Sequence, residues 1–423
     1  MDKICRAMMN LIGSEICGNA VCADEIKALS DDELKALYKL SKSHDLAHLV
    51  GNALIKNNLL DEDNPNGDEN HGGDKTQGAG ENHSANKEQG SGENHSGAIR
   101  SEIKQKFEKQ ILTAIYRYEN INSELETLKT AFEEEKIPFI PLKGSVIRQY
   151  YPEPWLRTSC DIDILVKEAD ADKASKALAK HLQYKINEKG QHDISLFSLS
   201  NIHVELHFKL MDIEFKQVSA LRDFWSGGEI APVSGYEYCM SNELFLLYHI
   251  YHMAKHFVHG GCGIKPFVDL WVIQNKIDYD EEKAEKILKE SDLLLFYNHA
   301  MELMNVWFEG KPHNSVTQEM ENYILQGGVY GTLEQQLAMS QNKKGGKFRH
   351  LSSKIFLSYE QMKVYYPSVK KCPILFPFYQ VRRWFRILFC GGRKAAMNEI
   401  KVNAGIDKAK VETAKRLMKD LEL

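Results

Sequence analysis

Three carboxylates in the middle of the chain have the type and order needed to hold divalent cations. Asp161 and Asp163 stand two residues apart in an apolar run, and Glu205 follows in a second apolar run. Because side chains alternate along a strand, both aspartates share one face, while Ile162 and Ile164 point into a core. Carboxylates about 7 Å apart at the backbone can converge on two cations about 3.5–4 Å apart. The pattern predicts a Mg²⁺ or Mn²⁺ site at Asp161, Asp163 and Glu205.

The segment around Glu205 alternates polar and apolar residues. His203, Glu205 and His207 occupy one face of the predicted strand, and apolar residues occupy the other. We expect Glu205 to complete the metal pocket from a neighbouring strand, or to act as general base toward an incoming hydroxyl. Two alternatives stay open here, a transition-metal site formed with the two histidines and a solvated sheet face.

A glycine turn precedes the aspartate pair. Lys143, Gly144 and Ser145 end an apolar run and open a predicted short helix. Glycine lets a backbone approach a phosphate closely, and a helix N-terminus offers N–H groups and partial positive charge. We predict that Gly144 and Ser145 hold a nucleotide's phosphates, with Lys143 and Arg157 as further contacts. The order of turn, aspartate pair and later glutamate is far more specific than any one of these parts.

Four histidines, His249, His252, His256 and His259, recur at steps of three and four on one predicted helix. Zinc binding is one interpretation, but four ligands along one helix would spread over about 15 Å, and the HExxH pattern is absent. Packing inside the protein is a second interpretation. Contact of one or two of them with substrate or nucleotide phosphate, at His252 or His256, is the third interpretation, and the sequence leaves it open beside packing.

The elements that must position these groups follow from periodicity. Between about residues 136 and 230 short apolar runs alternate with helical patterns, which predicts an α/β unit with a mixed sheet. Its expected strands are 137–142, 161–166, 184–187, 193–199 and 202–210, with helices at 144–151 and 169–181. Later helices are expected at 242–257, 268–275, 281–290 and 294–308. The fold class is therefore α+β, a catalytic core with helical regions on both sides.

The flanking regions have distinct compositions. Residues 1–60 read as helical, and Ser30 with Glu33 forms a capping-box pattern. Residues 61–99 carry almost no apolar side chains and repeat Glu-Asn-His every twelve residues, so we predict a disordered insert; metal binding by the repeat is the alternative. A long helix over 100–135 leads into the core, and residues 231–423 form a C-terminal helical domain. Within that domain, residues 373–390 are apolar with interleaved arginines, which indicates a packed amphipathic helix or a helix on a membrane or polyanion.

Bulk properties narrow the function classes. A hydrophobic content of 43% is ordinary for a globular protein, and a net charge of -5 gives no strong field toward nucleic acid or membrane. The eight cysteines include no C-x-x-C pair, which fits a reducing compartment. We predict no signal peptide, no membrane span and a cytoplasmic location.

The motifs together resemble those of an uncharacterised nucleotidyltransferase family of bacterial proteins within the DNA polymerase β-like superfamily. That family carries a leucine-lysine-glycine turn, a tyrosine-rich short helix, an arginine, an aspartate pair and a later glutamate-leucine-histidine. Here these are Leu142-Lys143-Gly144, Tyr150-Tyr151, Arg157, Asp161/Asp163 and Glu205-Leu206-His207. The resemblance implies Asp161, Asp163 and Glu205 as metal ligands and Gly144-Ser145 as the triphosphate-binding turn.

The resemblance extends beyond the core, over roughly residues 30–60 and 100–390 without the insert. A histidine-bearing helix followed by Phe267-Val268-Asp269-Leu270 is also similar to the family, which suggests Asp269 as a substrate contact. The expected activity is transfer of an NMP group from an NTP to a hydroxyl-type acceptor on a small molecule or protein. A catalytically silent nucleotide-binding or partner-binding module is one alternative. AMP transfer to a partner protein, as in toxin–antitoxin systems, is another.

Overall fold

The structure of the protein is a computed structural model. It describes residues 2–61, 93–211, 218–222, 224–226, 230–329, 331–344, 356–366, 368–369, 372–389, 401–402, 405–406 and 408–423. The chain divides into two compact units, Met1–Arg117 and Tyr118–Leu423. The division falls inside one long helix, Glu93–Glu134.

The first unit is helical. Its helices are α1 (Lys3–Ile16), α2 (Ala23–Lys27), α3 (Asp31–Ser43), α4 (Ala47–Lys56) and the beginning of α5 (Glu93–Glu134). The predicted capping box is present, because Ser30 Oγ accepts from the Glu33 backbone N–H and Glu33 Oε2 accepts from the Ser30 N–H. Phe107 of α5 packs edge-on against Tyr38 of α3, with 5.1 Å between ring centroids.

Residues 61 and 93–99 of the predicted insert lie within the described part of the chain. Helix α5 begins at Glu93, so the third Glu-Asn-His triplet lies in a helix and not in a disordered segment as predicted. The first two triplets, and the prediction that they are disordered, lie outside the described residues.

Among the described residues of the second unit, the strands form one seven-stranded sheet in the order β3-β4-β5-β2-β1-β7-β6. The strands are β1 (Phe139–Pro141), β2 (Asp161–Val166), β3 (Lys185–Lys189), β4 (Asp193–Phe197), β5 (His203–His207), β6 (Ile230–Ser234) and β7 (Glu237–Met240). The β2–β5 and β1–β7 pairs are parallel and the others antiparallel. The mixed sheet with its flanking helices confirms the α+β class.

The helices of the second unit lie before, between and after these strands along the chain. They are the remainder of α5, α6 (Gly144–Ile147), α7 (Ala171–His181), α8 (Asn242–Val258), α9 (Lys265–Lys276), α10 (Glu281–Glu290), α11 (Leu294–Glu309), α12 (Ser315–Gly327), α13 (Leu333–Lys344), α14 (Tyr359–Tyr365), α15 (Phe376–Phe389) and α16 (Lys408–Asp420). No helix within the described ranges is both long enough and apolar enough to cross a membrane.

One face of the sheet contributes its side chains to a hydrophobic core cluster of this unit. Ile162 and Ile164 of β2 and Val204 and Leu206 of β5 are fully buried there, packed in one cluster with apolar residues of α5 and α7. Since side chains alternate along a strand, this burial turns the polar positions of β2 and β5 to the opposite face. The sequence predicted this division of faces.

The β6–β7 hairpin was not predicted. It places Glu237 beside Phe139 and pairs β7 with β1, so the sheet continues past the expected core boundary at residue 230. Most of the side chains of β6 are exposed, and Pro232 lies within it. An exposed edge strand needs no apolar alternation and tolerates proline, so its sequence carries no strand signal.

Candidate active site

The pairing of β2 with β5 brings the three predicted carboxylates together. In this parallel pair Asp163 lies directly opposite Glu205, and Asp161 lies opposite His203. Neighbouring strands are about 4.8 Å apart, so side chains on one face at the same register touch. The core packing of the alternate residues therefore forces the carboxylates onto a common surface.

Asp163 is the most buried member of the group, with 4% of its surface exposed. Its Oδ1 atom accepts hydrogen bonds from Lys143 Nζ at 2.8 Å and from His207 Nε2 at 2.8 Å. The same His207 nitrogen lies 3.3 Å from Glu205 Oε2. His207 thus links the two carboxylates, and Lys143 neutralises one of them.

These contacts shift the pKa values of the two aspartates in opposite directions. Burial raises the pKa of Asp163, but the charge of Lys143 and the hydrogen bond from His207 outweigh it and hold the pKa well below its ordinary value. The pKa of Asp161 is raised to about 6, first by burial and then by the charge of Asp163, against the opposing effect of Lys143. Burial alone would lower the pKa of His207, yet its bonds to Asp163 and Glu205 raise it.

Two overlapping groups of side chains meet the geometric requirement for holding a cation. One contains Asp161, His203 and Glu205, and the other contains Asp163, Glu205 and His207; the ligand atoms within each group lie within 4.8 Å of one another. Glu205 belongs to both groups. Carboxylate oxygens suit Mg²⁺ and Mn²⁺, and imidazole nitrogen widens the range toward transition metals. The donor set therefore fits a divalent cation.

The glycine turn joins β1 to α6 at the same end of the sheet. The Leu142 N–H donates to the Asp163 carbonyl at 3.0 Å, and the Ser145 N–H donates to the Leu142 carbonyl at 3.1 Å. Lys143, at the second position of this turn, has φ 46° and ψ -120°, a conformation that favours glycine. Backbone strain of this kind costs about 1–3 kcal/mol and concentrates at functional sites.

The short helix α6 offers fewer N–H groups than the sequence suggested. The N–H groups of Ser145, Val146 and Ile147 all donate to carbonyls of the turn, because α6 is a single turn closed by short-range bonds. Within the described part of the chain the buried Ser145 Oγ has no hydrogen-bond partner. An orphaned buried hydroxyl is costly, so Ser145 is an available contact for a bound group.

Arg148 was missed by the sequence analysis. It is 5% exposed, and its guanidinium donates to the Gly144 carbonyl at 2.6 Å and to Ser159 Oγ at 3.1 Å. Burial and the nearby charge of Arg157 lower the pKa of Arg148 to about 10. A Cβ atom added to Gly144 would lie 3.2 Å from the Ser159 Cβ, so there is little room for a larger residue at position 144. The available signal was a charged residue within a short apolar helix.

Arg157 and Asp269, predicted as separate ligand contacts, form a buried ion pair with each other. Arg157 Nε lies 2.7 Å from Asp269 Oδ1, and Nη2 lies 2.8 Å from Oδ2. The Tyr151 hydroxyl donates to the same Oδ1 at 2.7 Å. Asp269 is 2% exposed, so in this structure its partners are protein groups in place of a substrate. The pair ties the segment before β2 to α9.

The histidines of α8 serve different purposes. His249 donates to the Pro266 carbonyl at 2.8 Å, which is a packing role. His252 and His256 face each other, with 3.2 Å between their Nε2 atoms. Burial, and then the charge of Lys143, lower the pKa of both histidines, to about 4 for His256, so both are neutral at pH 7. None of the candidate metal groups found in the described residues includes an α8 histidine.

Comparison with known proteins identifies the family. The model of a family described as uncharacterised nucleotidyltransferase matches residues 30–309. No curated protein and no solved structure matches the chain. The matched range includes the whole sheet, the glycine turn, both carboxylate groups and the ion pair to α9. The chain therefore belongs to this nucleotidyltransferase family and is a transferase enzyme.

Proposed function

We propose that the protein is a metal-dependent nucleotidyltransferase of the polymerase β-like type, which moves an NMP group from an NTP to a hydroxyl-type acceptor. The observation that carries this proposal is the register of β2 and β5, which sets Glu205 opposite Asp163 beside the turn at 143–145. Three acidic side chains on adjacent strands next to a glycine turn suit the binding of a triphosphate with divalent cations.

The three carboxylates have different roles in the proposed metal site. Asp161 and Glu205, with His203 and His207 beside them, would hold Mg²⁺ or Mn²⁺, which when bound neutralises the charge of the triphosphate. Asp163 contributes through its remaining oxygen, because Lys143 and His207 both bind its Oδ1 atom. This assignment changes the predicted role of Lys143 from a phosphate contact to the partner of Asp163.

The transfer itself is a displacement at phosphorus. The acceptor oxygen forms a bond to the α-phosphorus, the bond from that phosphorus to the bridging oxygen breaks, and pyrophosphate leaves. Glu205 accepts the proton of the acceptor hydroxyl, and His207, 3.3 Å from Oε2, orients the carboxylate. The Gly144 backbone and the Ser145 hydroxyl hold the leaving phosphates, and His252 or His256 contacts the substrate.

The test is label transfer from a panel of α-³²P NTPs with Mg²⁺ or Mn²⁺ in the presence of a cell extract separated into small-molecule and protein fractions. Asp161→Asn and Glu205→Gln are expected to abolish transfer. The matched control is Asp172→Asn, an exposed carboxylate on α7 of the same unit. Label transfer that persists in Asp161→Asn and Glu205→Gln would remove the site assignment.

The same assay separates the alternatives for the acceptor. Label in the small-molecule fraction supports a small acceptor, and label on protein supports AMP transfer to a partner. NTP binding without any transfer would identify a silent nucleotide-binding module, for which the Lys143–Asp163 ion pair would be the physical reason.

A further inference from the structure

A row of exposed apolar side chains runs along the segment that contains α15. Ile374 is 86% exposed, Phe378 62% and Val381 44%. Phe385, one turn further along, is also exposed. We propose that these four residues, with the neighbouring Arg382 and Arg386, form a surface that binds an anionic lipid bilayer; we call it the α15 face.

The helix geometry makes this a continuous surface. Phe378, Val381 and Phe385 are spaced by three and four residues, so they share one side of α15. Ile374 precedes them by one turn, in a 3-10 segment that leads into the helix. A 14-residue helix is about 21 Å long, enough for this row to lie along a bilayer surface.

The opposite side of α15 is held by the protein. Gln380 is 5% exposed and donates to the Leu357 carbonyl at 2.6 Å. Tyr379 stacks on Tyr366, the residue that follows α14, with 4.7 Å between ring centroids. The helix is therefore held in place through the side that carries Tyr379 and Gln380. The side that carries Phe378, Val381 and Phe385 faces outward. The sequence left packing and surface binding open, and the exposed row favours surface binding.

The positive charge around the α15 face indicates that its partner is anionic. Residues 356–389 contain six basic residues and one acidic residue, although the whole chain has a net charge of -5. Arg382 and Arg386 are exposed, lie four residues apart and flank the apolar row on one side. Apolar residues beside arginines on one helix are typical of helices that lie in the interface of anionic membranes.

Other partners match fewer of these features. A nucleic acid would satisfy the arginines but offers no apolar surface of matching extent to Ile374 and Val381. A second copy of the chain would cover the apolar row but would bring like charges together at Arg382 and Arg386. A bilayer supplies both acyl chains and anionic headgroups, and a helix of this length lies on the membrane without crossing it.

The test is co-sedimentation of the full-length protein with phosphatidylcholine vesicles and with vesicles that also contain phosphatidylglycerol. Binding is expected only to the anionic vesicles, and it should weaken as salt is raised. Phe378→Ser with Val381→Ser should lower the partition coefficient about tenfold or more, because less apolar surface is buried. Arg382→Gln with Arg386→Gln should lower the partition coefficient on anionic vesicles roughly fivefold per arginine, so the preference for anionic lipid should fall by the same factor.

The matched control is Leu112→Ser with Tyr116→Ser, which removes two apolar side chains of α5 that are 68% and 72% exposed. This variant should bind vesicles as the parent protein does. Absence of vesicle binding, equal binding to both vesicle types or equal loss in the control would overturn the proposal. A dimer dissolved by the Phe378→Ser and Val381→Ser changes would overturn it in favour of self-association. NTP binding, measured in parallel, should be unchanged in all variants.

Discussion

Replacing Asp269 with alanine is expected to destabilise the second unit more than any surface change in it. The substitution leaves the guanidinium of Arg157, whose side chain is 13% exposed in the folded protein, without its carboxylate partner. It also removes the acceptor of the Tyr151 hydroxyl. Removing one partner of a buried pair leaves an uncompensated charge and costs about 3–5 kcal/mol. The attraction within the pair is not itself the measure of this loss, because desolvation of both charges offsets much of it.

The assay is urea unfolding followed by tryptophan fluorescence. Trp271 lies two residues from Asp269 on α9 and reports on the affected region. Asp172→Ala is the surface control, since its carboxylate is 68% exposed and its salt bridge is worth at most about 1 kcal/mol. A double variant, Arg157→Met with Asp269→Leu, removes both charges and should recover most of the stability lost in Asp269→Ala.

Two results would refute this reasoning. A loss for Asp269→Ala no larger than for Asp172→Ala would show that the pair is not buried as described. A double variant as unstable as the single one would show that the loss does not come from the stranded charge of Arg157. NTP affinity of the double variant, measured at low urea, tests separately whether Arg157 also contacts phosphate.

Further predictions follow from the same contacts. Burial would raise the pKa of Asp269, but the charge of Arg157 outweighs it and lowers the pKa. The stability advantage of the parent protein over Asp269→Asn should therefore hold above about pH 4 and shrink only at lower pH. Urea titrations at a series of pH values measure this. Lys143→Gly should be about 1 kcal/mol more stable than Lys143→Ala by thermal unfolding, because alanine keeps a Cβ at φ 46°. Gly144→Ala should cost about 1–3 kcal/mol and reduce NTP binding, since the added Cβ meets Ser159 at 3.2 Å. Chelation with EDTA should abolish label transfer, and Mg²⁺ or Mn²⁺ should restore it.

The elements that carry the carboxylates were predictable because their burial pattern is local. Strand β2 spans Asp161–Val166 as expected, since apolar residues on one face and aspartates on the other leave only one interpretation. Helix α10 was also predicted with its observed bounds, Glu281–Glu290. In both elements the acidic and apolar positions alternate with the period of the structure, so neither depends on distant parts of the chain.

The contacts between distant segments were not predictable. Arg157 and Asp269 are separated by 112 residues, and only the packing of α9 brings them together. A sequence shows two charged residues that could each bind a ligand, but it does not show that each is the other's partner. The same limit applies to Lys143, whose place beside Gly144 in the turn suggested a phosphate contact, whereas its side chain donates to Asp163.

The environment of the two aspartates separates their roles although they stand two residues apart on one strand. Asp163 is held ionised by Lys143 and His207, so its charge is already compensated before any ligand arrives. Asp161 keeps a pKa of about 6 because its burial and the charge of Asp163 are less well compensated. A cation gains most by binding where negative charge is least neutralised. In the site that we propose, Asp163 is therefore the carboxylate held by the protein's own cations, Asp161 is the one left for a metal ion, and Glu205 belongs to both candidate groups of ligands.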